Sequence, residues 1–176
     1  MAYQLGPCEI IDITSGGAGT SLGRTSGGVS VKIEESSVSL HTDQDGEVPV
    51  DEVITGTKVT IEASLANITL ENLALMLKTT VNANVVKVKP NVGTSLLQNA
   101  KVLLIKPYKN GVLSTDKKDF IFIPKAGIRA SLDLNYNSKD QRTIKMSITG
   151  YPDSTLTGSP AAIFGVSTRA EASSAA

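Results

Sequence analysis

Leu22-Gly23-Arg24-Thr25-Ser26-Gly27-Gly28-Val29 opens the most informative part of this chain, which continues to Thr79. Val29, Val31 and Ile33 alternate with Ser30, Lys32 and Glu34, a period of two that marks a strand with one buried face. Val38 and Leu40 alternate in the same way with Ser37, Ser39 and His41, so the two runs are expected to form a hairpin through Glu35-Ser36. From Asp43 to Gly56, turn formers and carboxylates (Asp43, Asp45, Gly46, Glu47, Pro49, Asp51) outweigh scattered apolar residues, which predicts a long loop. Val48, Val50, Val53 and Ile54 are its only apolar anchors, and the loop is expected to act between subunits.

Val59, Ile61, Ala63 and Leu65 give the clearest strand, and a short helix follows at once. Thr69 offers an N-cap hydroxyl before Leu70, with Ile68 and Leu73 at staple positions. Leu70, Leu73, Ala74 and Leu77 make one helical face, while Leu75 and Met76 fall outside it. A helix apolar on more than one side needs a second covering surface. Either its own subunit supplies that cover or a neighbouring copy does.

Elsewhere, a first strand is expected from Cys8 to Thr14. Later ones are expected at Lys101 to Pro107, Asp119 to Pro124, Ile128 to Tyr136 and Thr143 to Gly150. Phe120 and Phe122 oppose Ile121 and Ile123, so that strand is apolar on both faces and belongs at the centre of a sheet or in an interface. Beyond Tyr151-Pro152-Asp153 the composition turns to Gly, Ser, Thr, Pro and Ala. Residues 1–160 thus form one β domain, and residues 161–176, with an apolar knot at Ile163-Phe164, are expected to be a flexible tail.

At 176 residues the chain can bury roughly 70% of its unfolded surface without metal or disulfides. Lys plus Arg and Asp plus Glu are both 17, so the whole chain has no basic excess for gripping nucleic acid. No basic-then-apolar leader opens the sequence, and no apolar run approaches the length of a membrane span. A soluble protein made in a cytoplasm is expected.

The residues that could carry chemistry do not converge. Gly17-Ala18-Gly19 with Gly23 precedes a strand instead of the helix N-terminus a pyrophosphate needs. Asp43, Asp45, Gly46 and Glu52 match part of a calcium loop, but His41 and Pro49 occupy two other loop positions and the preceding segment is a strand. His41 is the only histidine and Cys8 the only cysteine, which leaves no zinc site or Ser-His-Asp set to assemble. Glu34-Glu35 and Asp51-Glu52 are adjacent pairs, so on strands their carboxylates point to opposite faces. No enzyme activity, metal or cofactor is expected.

Charge is unevenly distributed. Between Glu34 and Glu52 lie Glu35, Asp43, Asp45, Glu47 and Asp51 with no lysine or arginine, while Lys101, Lys106, Lys109, Lys117 and Lys118 come later. An acidic and a basic block in a neutral chain suit head-to-tail association with copies of itself.

The glycine-rich entry to paired strands, the Asp-Gln-Asp-Gly-Glu-Val-Pro-Val loop and the strand running into Thr69-Leu70-Glu71-Asn72-Leu73-Ala74 together resemble the tail tube (major tail) proteins of long-tailed bacteriophages. The resemblance implies a β-sandwich or partly closed barrel with one short flanking α-helix. Such chains form hexameric rings with a β-barrel lumen, and the rings stack into a tube that conducts DNA into the host. It implies a virion protein assembled in the host cytoplasm, touching tape-measure, terminator and baseplate or tip proteins. Secretion-tube proteins of the type VI system are similar in fold. A tail terminator or fibre domain is the alternative. A conduit for DNA should not grip phosphates, so an acidic or neutral wall is expected, with Glu34 as a candidate lining residue.

Overall fold

The computed structural model describes residues 7–14, 19–44, 46–66, 69–88, 92–133 and 143–174. The double alternation beginning at Val29 belongs to one strand. β3 (Thr25–Leu40) passes unbroken through Glu35-Ser36 and pairs antiparallel with β4 (Asp51–Leu65), from Val29 opposite Ala63 to Leu40 opposite Asp51. The expected hairpin at Glu35-Ser36 is therefore absent, and the expected loop shrinks to residues 41–50, with Asp51, Val53 and Ile54 inside β4. The apolar residues of β3 change from odd to even positions between Ile33 and Val38. A turn would produce that phase break, and so does a single strand that shows different faces to different surroundings. A bulge accompanies it: Ser36 pairs with Gly56 but Ser37 with Ile54, and the skipped Thr55 donates its hydroxyl to the Ser36 carbonyl at 3.0 Å.

The remaining elements are β1 (Cys8–Asp12), β2 (Thr20–Ser21), α1 (Leu70–Met76), β5 (Lys101–Lys109), β6 (Val112–Leu113), β7 (Ile121–Asp133), β8 (Thr143–Gly150), β9 (Ile163–Phe164) and α2 (Arg169–Ser174). The fold is mainly β, as expected, and its strands make one open antiparallel sheet in the order β2-β1-β5-β7-β8-β4-β3. β6 hangs on β5 and β9 on β7. Two helices, in place of the expected one, flank the sheet.

β7 joins the two segments expected as separate strands, and it lies centrally between β5 and β8. The part of the second segment beyond Asp133 lies outside the described residues. Leu103 pairs with Ile123 but Lys101 with Ala126, so β7 bulges at Pro124-Lys125. Proline is tolerated there because a bulge does not require its missing N–H. The bulge keeps Ile123, Ala126 and Ile128 on one side of the sheet. There, side chains from adjacent strands line up in rows such as Ile128-Ile148-Ile61-Val31. Met76 of α1 joins this core, and Leu73 and Leu75 pack against it.

Phe120 and Phe122 stand on the other side with Leu104, and residues from the C-terminal segment, Leu156 and Ala172, close over them. The C-terminal segment is therefore packed, in place of the expected flexible tail. β9 pairs with Ile121 and Phe122, and Ala172 of α2 is buried. Ala172 belongs to the same cluster as Phe120 and Phe122, where its small side chain lets α2 approach the aromatic surface closely.

α1 also departs from the expected face. Thr69 caps it as expected, accepting from the Asn72 backbone N–H at 3.2 Å, while Ile68 lies outside the described residues. Ala74, Met76 and Asn72 are its most buried residues, Leu77 is the C-cap, and Leu70 is 41% exposed. The Asn72 amide donates to the Leu22 carbonyl at 2.6 Å, which rotates the helix so that its own sheet covers Met76 and Leu75. Met76 is thus covered within one subunit, Leu73 and Leu75 in part, and Leu70 is left exposed.

Candidate functional site

Three features of the β3-β4 half of the molecule have no structural partner. The first is an arm. Every described residue from 32 to 58 is exposed, so beyond the Ile33-Val59 pair the hairpin projects from the body. The eight residues from Ile33 to Leu40 span roughly 25 Å at strand rise. Its tip is closed by Gly46 N–H to Thr42 carbonyl (3.1 Å) and Val50 N–H to Leu40 carbonyl (2.9 Å). Val48 and Ile54 are 66% and 59% exposed, and Val38, Leu40, Val50 and Val53 are exposed with them. Asp43, Glu47, Pro49, Asp51 and Glu52 are exposed on the same arm; Asp45 lies outside the described residues.

The second is a bare sheet face. On the side opposite the main core, β7, β8, β4 and β3 present polar rows such as Arg129-Ser147-Glu62-Ser30 and Ser131-Lys145-Ser64. Glu34 belongs to this face and sits opposite Lys58. The C-terminal segment covers the same side of the sheet over β5 and the start of β7, and stops at Tyr151. The Tyr151 ring lies on Gly127, where an added Cβ would come within 2.4 Å of it. Sequence alternation already separates Lys145, Ser147 and Thr149 from Ile144, Met146 and Ile148, and Arg129 and Ser131 from Ile128 and Ala130, but it does not say that these two polar rows will lie side by side.

The third is a pair of open edges. β3 has β4 on one side and, among the described residues, no strand on the other. β7 beyond Ala126 has β8 on one side and likewise no strand on the other. The β3 edge is partly broken at Gly27 and Gly28, whose φ values of +79° and +86° lie in the left-handed region at the register shift between Thr25 and Val29.

The charge blocks look different in three dimensions. Lys101 pairs with Asp12 (4.0 Å), Lys109 with Asp119 (2.5 Å) and Lys117 with Glu171, while Lys106 lies 4.9 Å from the Phe120 ring centre. Lys101, Lys109 and Lys117 of the late basic block thus have acidic partners within the chain. Hydrogen bonds from Lys109 and Ser114 hold the Asp119 carboxyl below its ordinary range. Those from Lys117 and Ser167 lower Glu171 to about 2.

Among the described residues no convergent set of reactive groups emerges. His41 is exposed just past β3, far along the arm from Cys8, a half-buried thiol whose pKa burial raises. Glu52, which a calcium loop would need at its end, accepts instead from the Ser37 hydroxyl across the ladder. Among the described residues no group of three His, Cys, Asp or Glu side chains could hold a metal ion, and no helix is long and apolar enough to cross a membrane. Comparison with family models and with curated proteins finds no match for the chain.

Proposed function

We propose that this chain is a structural protein that assembles with itself into hexameric rings, and that the rings stack into a tube, as the resemblance to phage tail tube proteins implies. The observation that carries the reading is the pair of open edges on the β7-β8-β4-β3 sheet. Each of the three ladders between these strands is antiparallel, so β3 runs opposite to β7. Copies related by rotation about a ring axis then bring β3 of one against β7 of the next in antiparallel sense. Every copy contributes an even number of strands and the ring closes without a parallel seam. Closure removes exposed edges, which otherwise invite uncontrolled pairing.

In this reading the sheet is a segment of a closed barrel, its polar face lines the lumen with Glu34 in the wall, and DNA passes through without sequence recognition. The arm reaches the next ring, where Val48, Val50, Val53 and Ile54 find apolar cover; each such residue buried contributes roughly 1.5–3 kcal/mol. The chain would serve in the virion tail, contacting tape-measure, terminator and baseplate or tip proteins, and its work is mechanical, without catalysis or cofactor. Electron microscopy of the purified protein with light scattering tests this. Rings or tubes of sixfold cross-section are expected, and a strictly monomeric protein at high concentration and low-to-moderate salt would overturn the reading.

A further inference from the structure

We propose that the bare face of β7 and β8 contacts the phosphodiester backbone of a nucleic acid through Arg129 and Lys145. By register the face carries Lys32, Lys58, Arg129 and Lys145 against Glu34, Glu62 and Asp133, so it is slightly cationic where the sequence alone suggests an acidic or neutral wall. Lys32 lies 3.8 Å from Glu62, Lys58 stands opposite Glu34, and Lys145 is diagonal in register to Glu62 and Asp133. Arg129 and Lys145 are exposed, and neither makes an ion pair among the described residues.

Their placement is specific. Arg129 is paired with Ser147 and Lys145 with Ser131, so the cations are diagonal neighbours on adjacent strands, about 7–8 Å apart with their Cβ atoms somewhat closer. Two like charges that close repel one another, and an anion bridging them relieves the repulsion. Ser131, Ser147 and Ser64 surround them with hydroxyl donors suited to phosphate oxygens, and these side chains line a groove of about 580 Å³. No aromatic side chain lines the groove, so bases have no stacking platform and the interaction is with the backbone, independent of sequence.

The acidic arm of a second copy is the competing occupant. It fits less well, because Glu62 also lines the groove and would meet the arm's run of carboxylates. The inference goes beyond the ring reading and does not require it, since the face exists in a single copy.

Anisotropy of labelled mixed-sequence DNA, titrated with the full-length chain over about 20–200 mM salt, tests the proposal. Weak, salt-sensitive and sequence-independent binding is expected. The double variant R129Q/K145Q should bind at least about tenfold more weakly at the lowest salt. On single strands its log K against log salt slope should flatten by about 1.4, at about 0.7 for each phosphate no longer neutralised. Arg129→Lys, which keeps the charge, should retain most of the binding, and Lys87→Gln, which removes an exposed cation elsewhere, should change nothing. Absence of binding by the unmodified chain at the lowest salt, or equal weakening by Lys87→Gln, overturns the proposal. Unchanged anisotropy in the double variant also overturns it; if self-association is lost at the same time, the face belongs to the acidic arm of another copy. Absence of DNA binding by a chain that still self-associates overturns this proposal alone and leaves the ring reading standing.

Discussion

Nη2 of Arg169 on α2 stands 3.1 Å from Oδ2 of Asp153, a carboxylate with no exposed surface. The same carboxylate takes Lys125 of β7 at 3.1 Å and the Thr155 hydroxyl and backbone N–H at 2.8 and 3.1 Å. Arg169 also donates to the Pro124 carbonyl at the β7 bulge. This one acid therefore ties the C-terminal segment to the central strand. Asp153→Ala should destabilise the fold by about 2–3 kcal/mol, below the full cost of breaking a buried pair because both cations reach solvent. Arg169→Ala should cost about 1 kcal/mol, since Lys125 remains. Urea unfolding of the two variants checks the order.

Acid should loosen the same segment. Burial works to raise the Asp153 carboxyl, but hydrogen bonds from Thr155 and Lys125 and the charge of Arg169 outweigh it and hold the group below its ordinary value. Glu171 is lowered to about 2, chiefly by Lys117 and Ser167. Carboxyls lowered in the folded state contribute stability above their unfolded values, near 4, and lose it as pH falls through the folded values. Stability should therefore be level above about pH 5 and decline from about pH 4 toward 2, with protease cleavage appearing first within residues 154–174. A loss of stability between pH 5 and 7 would contradict this assignment.

The Asn72 amide supplies the hydrogen bond to the Leu22 carbonyl from inside the core. Asn72→Ala should cost about 1–3 kcal/mol by leaving that carbonyl unsatisfied. Asn72→Asp should be worse at neutral pH than near pH 4, because an ionised carboxylate cannot donate. Thermal melts at the two pH values separate a donor role from simple packing.

The arm should be dispensable for folding. Its residues contribute no side chain to either core cluster, so deleting Glu47 to Asp51 should leave the far-ultraviolet circular dichroism intact and stability within about 0.5 kcal/mol. In the proposed assembly the same deletion abolishes tubes. Normal assembly would make the arm tip decoration, and unfolding would make it part of the subunit core.

Much of this architecture is legible in the residues. The alternation of Ile144, Met146 and Ile148 marks β8 with its observed ends, and the opposed Phe122 and Ile123 mark β7 as a strand covered on both faces. The arm is half legible. Gly46 and Pro49 announce a turn, but Val53 and Ile54 resemble loop anchors because their partners, Val38 and Ser37, lie far back in the chain. Asp153 carries no sign of its role, since Lys125 and Arg169 reach it from either side in sequence.

What the sequence determined by itself is whatever a period of two can encode: which segments are strands, which side chains share a face, and where Thr69 starts a helix. Tertiary structure alone decided that β3 continues past Glu35, that α1 turns Met76 inward, and that the C-terminal segment covers one half of a sheet face and leaves Arg129 and Lys145 bare. Alternation is a local property, repeated every two residues. Strand order and burial depend on pairs such as Asn72 and Leu22, 50 positions apart, whose meeting is settled only when the whole sheet closes around them.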